Sequence, residues 1–126
     1  MTVSRPALVV TIDGEPAATS LTRVRAADLR LAQKQRGYLR AEAERAGREP
    51  DAIALEVDVV IDERAADARA SYAPNGVAQS ITYVGTPSGL KSLIEDVYAA
   101  EVADAVVLRP VGGARTKDLI ATLLAA

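Results

Sequence analysis

The side chains with the best spacing for chemistry in this chain of 126 residues lie along one run, Ile53-Ala54-Leu55-Glu56-Val57-Asp58-Val59-Val60-Ile61-Asp62. Its odd positions are all apolar, and its even positions include Glu56, Asp58 and Asp62. A strand with that pattern buries one face and turns the other toward polar company. Glu56 and Asp58 then point the same way, and either is a candidate general base, with Arg109 as an anion anchor on a neighbouring strand. Such a role needs burial or a like-charged neighbour to raise a carboxyl pKa. A plainer reading stands beside it, in which the same groups are solvated or pair across strands, each pair contributing about 0.2–1 kcal/mol.

A second candidate is Arg109-Pro110-Val111-Gly112-Gly113-Ala114-Arg115, between a strand and a helix. Many barrels hold phosphate at that place with backbone N–H groups and the helix N-terminus. Arg109, Gly112, Gly113 and Arg115 are the candidate phosphate contacts, although a glycine pair also simply turns a chain. The pattern is neither a Walker motif nor a dinucleotide fingerprint.

Composition narrows the choice further. The chain has neither cysteine nor histidine, which argues against disulfides, cysteine nucleophiles, imidazole acid–base catalysis and the usual zinc sites. No metal is expected. A net charge of −2, with 15 basic residues spread along the chain, gives no electrostatic case for nucleic acid. Phe and Trp are absent and Tyr occurs four times, so an aromatic cage or base-stacking platform is hard to build. Apolar residues at 49% and charged residues at 25% describe an ordinary globular chain and a single domain over residues 1–126. With no signal peptide and no apolar run of spanning length, the expected location is the cytoplasm, away from any membrane.

The elements that must position these residues punctuate the sequence as βα units. Residues 7–13 read as a strand ended at Gly14. Residues 15–25 are Ala-rich and suit a helix starting near Pro16. Residues 33–45 form a charged helix, with Glu42, Glu44 and Arg45 as a solvated face and Gly47 as a left-handed C′ residue. Residues 53–62 give the clearest strand, residues 63–72 a helix, and Ala73-Pro74-Asn75-Gly76 a turn. Residues 81–84 form an extended lead-in to the next helix. That helix is capped by Thr86, opens on Pro87, and carries an apolar stripe of Leu90, Leu93, Ile94, Val97, Tyr98 and Val102. Residues 105–108 form a buried strand, and residues 115–124 close the chain as a helix.

Several of these stretches resemble one family. Val84-Gly85-Thr86-Pro87, the helix after it with its Leu93-Ile94 pair, Asp104, and the strand ending Leu108-Arg109-Pro110 resemble the C-terminal end of the bacterial-luciferase-like flavin-dependent monooxygenases. The branch in view handles nitrilotriacetate-type and organosulfur substrates. Ala46-Gly47-Arg48-Glu49-Pro50-Asp51 resembles that family's small-Gly-Arg-acid-Pro signature, and Arg5-Pro6 with residues 7–13 resembles an earlier strand opening. The resemblance implies a short strand at Leu29-Arg30-Leu31, putting Arg30 on the polar face with Glu56, Asp58 and Arg109. Two glycines of the pattern are replaced, by Glu101 and Ala105; the first costs a helix end about 1 kcal/mol where a left-handed residue is needed.

Members of the family are complete (β/α)8 barrels, and this chain has room for about half of one. The resemblance thus implies an α/β fold, a partial (half) TIM barrel of about four βα units with a mostly parallel sheet. It implies flavin mononucleotide (FMN) as cofactor, held largely by earlier strands that have no counterpart here, so no catalytic residue carries over. A half-barrel has two edge strands and an uncovered face. Either it flattens into an open sandwich or two copies pair. The expectation is a homodimer, or docking onto a chain that supplies the missing half, with Glu56, Asp58, Arg30 and Arg109 in a concave interface. Function then falls between a flavin-dependent monooxygenase subunit that works only when paired and a catalytically silent α/β interaction module.

Overall fold

A computed structural model of the chain describes residues 7–15, 21–72 and 80–125. The elements in order are β1 (Val9–Ile12), β2 (Leu21–Val24), α1 (Leu29–Arg45), β3 (Ala52–Ile61), α2 (Ala65–Ser71), β4 (Ile81–Gly85), α3 (Pro87–Ala99), β5 (Ala105–Pro110) and α4 (Ala114–Ala125). The chain is α/β, and all four strand pairings are parallel. The order across the sheet is β1-β5-β3-β2, with β4 also paired to β3. β2 lies along residues 52–55 of β3 and β4 along residues 57–61, so these two share one side of the longest strand end to end.

That order follows the chain around a curve: β1, β2, β3 and β5 succeed one another, and β1 returns to pair with β5. The unpaired seam lies between β1 and β2. In a flat sheet three strand spacings would hold them about 14 Å apart. Instead Arg23 Nη2 of β2 reaches Asp13 Oδ1, one residue past β1, at 2.7 Å. The sheet is therefore curled, in the manner of a partial barrel.

Two apolar clusters sit on its two sides. The larger joins Leu55, Val57, Val59 and Ile61 of β3 to Val106 and Leu108 of β5 and to Leu90, Ile94, Val97 and Ile120 of the helices. The smaller, on the inner side, is Ala54, Ala105 and Val107, with Val9 and Leu21 packed against it. Ala54 and Ala105 occupy the same register position and are fully buried.

Several local expectations are met. Thr86 Oγ1 accepts from Gly89 N–H at 3.3 Å and Pro87 opens α3. Leu90, Ile94 and Val97 are its buried stripe. Gly47 has φ +69°, and the bonds Gly47 N–H to Glu44 O (3.1 Å) and Arg48 N–H to Ala43 O (3.0 Å) close α1 with a Schellman motif.

Others are corrected. Leu21–Val24 is a strand, whereas residues 15–25 read as a helix; Thr22 and Val24 are β-branched, and the four residues pair with β3. Leu29-Arg30-Leu31 is the first turn of α1 and not a strand, because Asp28 caps the helix by accepting from Leu31 N–H at 2.8 Å. Residues 81–84 do more than lead in, since Ile81–Gly85 is a full strand of the sheet. The Arg5-Pro6 opening, the helix start at Pro16 and the turn Ala73-Pro74-Asn75-Gly76 lie outside the described residues.

Candidate functional site

The inner side of the sheet is apolar toward the strand N-termini and charged toward their C-termini, where parallel α/β sheets and barrels place their sites. One register row carries Asp58 of β3 opposite Arg109 of β5, and Asp13 comes directly after Ile12, which is opposite Leu108. One residue pair lower, Glu56 is opposite Val107. Arg23 comes from β2.

These five form one network. Arg23 donates to Asp13 Oδ1 at 2.7 Å from Nη2 and to Glu56 Oε2 at 3.2 Å from Nε. Arg109 Nη1 lies 3.2 Å from Asp58 Oδ1 and 3.9 Å from Glu56 Oε1, and its Nε is 3.8 Å from Asp13 Oδ2. Ser80 Oγ donates to Asp58 Oδ2 at 2.7 Å. Two guanidinium groups thus face three carboxylates, leaving one negative charge over. The Arg23 hydrogen bond holds the Asp13 carboxyl below its ordinary range, with the charges of Arg23 and Arg109 adding to it. The same bond to Asp13, with Glu56 nearby, raises Arg23.

Asp58 Oδ1 and Arg109 Nη1 are both buried, and their contact is out of hydrogen-bond alignment. Each atom therefore keeps unused hydrogen-bonding capacity at the mouth of the network. Glu56 is tied to both arginines and is not free to approach a reactant.

The network includes three of the residues expected on the polar face, Glu56, Asp58 and Arg109, and excludes Arg30, an exposed residue of α1. Its cationic place is taken by Arg23. Arg23 escapes sequence reading because its segment looks helical, and Ser80 because it precedes its strand.

The candidate phosphate loop does not converge. Arg109 turns into the network, while Arg115 pairs with Glu63 at 2.5 Å and reaches Asp62 at 4.0 Å. Gly112 serves packing, since a Cβ there would stand 2.5 Å from Thr116 Oγ1 and 3.0 Å from Val60. Thr116 is buried, and its hydroxyl accepts from Ile61 N–H (3.1 Å) and donates to Ile61 O (3.2 Å), tying α4 to the end of β3. Gly113 turns the chain at φ +99°.

A buried ion pair lies at the opposite end of the sheet. Arg36 of α1 donates to Asp104 Oδ1 from Nη2 (2.9 Å) and Nε (3.2 Å), and Asp104 Oδ2 accepts from Ile53 N–H at 3.0 Å. Asp104 is fully buried. The signal in the sequence is an arginine at i+4 from Ala32 and i−7 from Ala43, the other two buried positions of α1. Its task is to join α1, β3 and β5.

Among the described residues no group of three His, Cys, Asp or Glu side chains could hold a metal ion, and no helix is long and apolar enough to cross a membrane. No protein-family model matches the chain, and no curated protein matches it.

Proposed function

We propose that this chain is a luciferase-like, flavin-dependent monooxygenase domain, an oxidoreductase half-barrel of the cytoplasm that acts as a paired subunit and not alone. The observation that carries this reading is the inner network at the C-terminal ends of parallel strands, where Asp58 Oδ1 and Arg109 Nη1 keep hydrogen-bonding capacity while buried. A polar ligand group reaching the mouth of the sheet would complete both atoms.

The residues of this chain do not by themselves fit FMN. Its phosphate calls for convergent N–H groups or an unmatched cation, yet Arg109 and Arg115 diverge and each is paired with carboxylates. The rest of a cofactor site would come from a second copy or from a chain supplying the remaining strands. Pairing through the inner face is confined to its charged layer, because Ala54, Ala105 and Val107 beneath are already covered.

The pairing of both arginines with carboxylates favours a second reading, a catalytically silent α/β interaction module. Calorimetric titration of oxidised and reduced FMN, run beside light scattering, separates the two. Saturable binding by an associated species is the expected result for the monooxygenase reading. Absence of heat at millimolar FMN, or a strict monomer at high concentration, refutes the paired flavoprotein and leaves the module.

A further inference from the structure

We infer that the outward stripe of α1 is an interface with a second copy of this chain, the two helices lying antiparallel about a two-fold at Tyr38. The inference names a surface for the pairing proposed above and does not depend on flavin. α1 buries only Ala32, Arg36 and Ala43, which fall on one side of the helix. Leu31 and Tyr38, about two turns apart, lie roughly a third of a turn round from that side. They are 44% and 61% exposed, and Lys34, Ala41, Glu42 and Arg45 around them are exposed as well.

The order of charges along the stripe selects the partner. Lys34 stands four residues before Tyr38 and Glu42 four residues after it. An antiparallel two-fold at Tyr38 therefore sets Lys34 of each copy level with Glu42 of the other, twice in one interface, and lays the aliphatic stem of Arg45 over Leu31. A parallel arrangement sets Lys34 against Lys34 and Glu42 against Glu42, which opposes it. Within the described residues Lys34 forms no ion pair, and Glu42 is paired only with Arg45 of its own helix, at 3.0 Å through Oε1. Arg25, exposed and likewise without an ion pair there, lines the crevice between β2 and α1 beside Lys34 and Tyr38, so it offers the incoming Glu42 a second cation. A foreign partner needs a complementary stripe of its own, whereas this one complements itself. The main contact is a helix of 17 residues, about 25 Å long, which places the interface in the small, transient class.

The test is sedimentation equilibrium of the whole chain, from micromolar to millimolar concentration at physiological salt, on the parent and on two single variants, Lys34→Glu and Glu42→Lys. The parent should reach a dimer, and each variant should dimerise about tenfold more weakly, because both symmetric contacts turn from attraction to repulsion. Mixing the two variants in equal amounts restores opposite charges at both contacts and should return a dimer of the parent's affinity, which also shows that both variants fold. Lys91→Glu, on α3, carries the same change in net charge as Lys34→Glu and should not rescue Glu42→Lys. A parent that stays monomeric at millimolar concentration, single variants that dimerise as the parent does, a mixture no tighter than its components, or equal rescue by Lys91→Glu overturns the inference. Dimers indifferent to α1 would leave the paired flavoprotein standing on another surface, and an α1 dimer that gives no heat with FMN would refute that reading and keep this one.

Discussion

Glu101→Gly should stabilise this protein, and the geometry of α3 says by how much. The helix ends in the same Schellman motif as α1: Glu101 N–H donates to Tyr98 O at 3.1 Å and Val102 N–H to Val97 O at 3.0 Å, with Val97 and Val102 both buried. In α1 the left-handed position is Gly47, whereas in α3 it is Glu101 at φ +58°, the only non-glycine residue at positive φ among the described residues. A side chain in that conformation costs about 1–2 kcal/mol. Glycine returns about 0.4–1 kcal/mol of this through its freer unfolded chain. The net gain is about 0.5–1 kcal/mol, or a rise in Tm of about 2–4 °C for a chain of this size. The carboxylate also faces the negative end of the helix dipole, worth about 0.3–1 kcal/mol and screened by salt. Glu101→Gln isolates that part, since it removes the charge and keeps the strained φ. Urea unfolding at high salt should therefore place the Gly variant at a higher midpoint than both the Gln variant and the parent, with an unchanged m-value. Equal midpoints for Gly and Gln at high salt would refute the conformational argument.

Three further outcomes test the packing and the network. Arg36→Met removes both guanidinium bonds to the buried Asp104 carboxylate and should cost about 3–5 kcal/mol in urea unfolding, the usual loss when one partner of a buried pair is removed. Gly112→Ala pushes a methyl group onto Thr116 Oγ1 and should destabilise by about 1–3 kcal/mol, measured by thermal unfolding; a neutral result would free this loop for another role. Asp13 titrates below its ordinary 3.8 in the folded chain, so its contribution is fully present above that pH and is lost as the pH falls through the lower folded value. Asp13→Asn should flatten that acid limb of the stability curve while leaving the slope above pH 5 unchanged, as followed by circular dichroism.

The elements legible in the sequence are those whose signals are local. α3 has its cap, its proline and its apolar stripe within the segment, and β3 shows period-2 alternation over ten residues. β2 has four residues and no alternation long enough to outweigh the Ala-rich stretch before it; β3 defines it as a strand by pairing with it. The reassignment of Leu29-Arg30-Leu31 follows from the same region, because Asp28 caps a helix there. The polar face was legible as a face from the pattern of β3, but its members depend on register across β1, β3 and β5 and on β2 reaching over the seam. Arg23 and Ser80 enter it only through those long-range placements.

The inner face also shows why its charges are arranged as they are. Going up the strands from the rung where Val9, Ala105 and Ala54 are opposite one another, the side chains change from apolar through Thr11, Val107 and Glu56 to the charged Asp13, Arg109 and Asp58. Between β1 and β2 the described residues form no backbone ladder, so only a side chain can span the seam. Arg23 does so, bonded on one side to Asp13 beyond β1 and on the other to Glu56 of β3. The bond to Asp13 links β2 to the end of β1, two strands with no backbone ladder between them, so the cation acts across the gap where a closed barrel would have strand pairing. The charged layer is thus first a closure for a curled sheet, and whatever it binds must be met by the one buried contact left misaligned, Asp58 with Arg109.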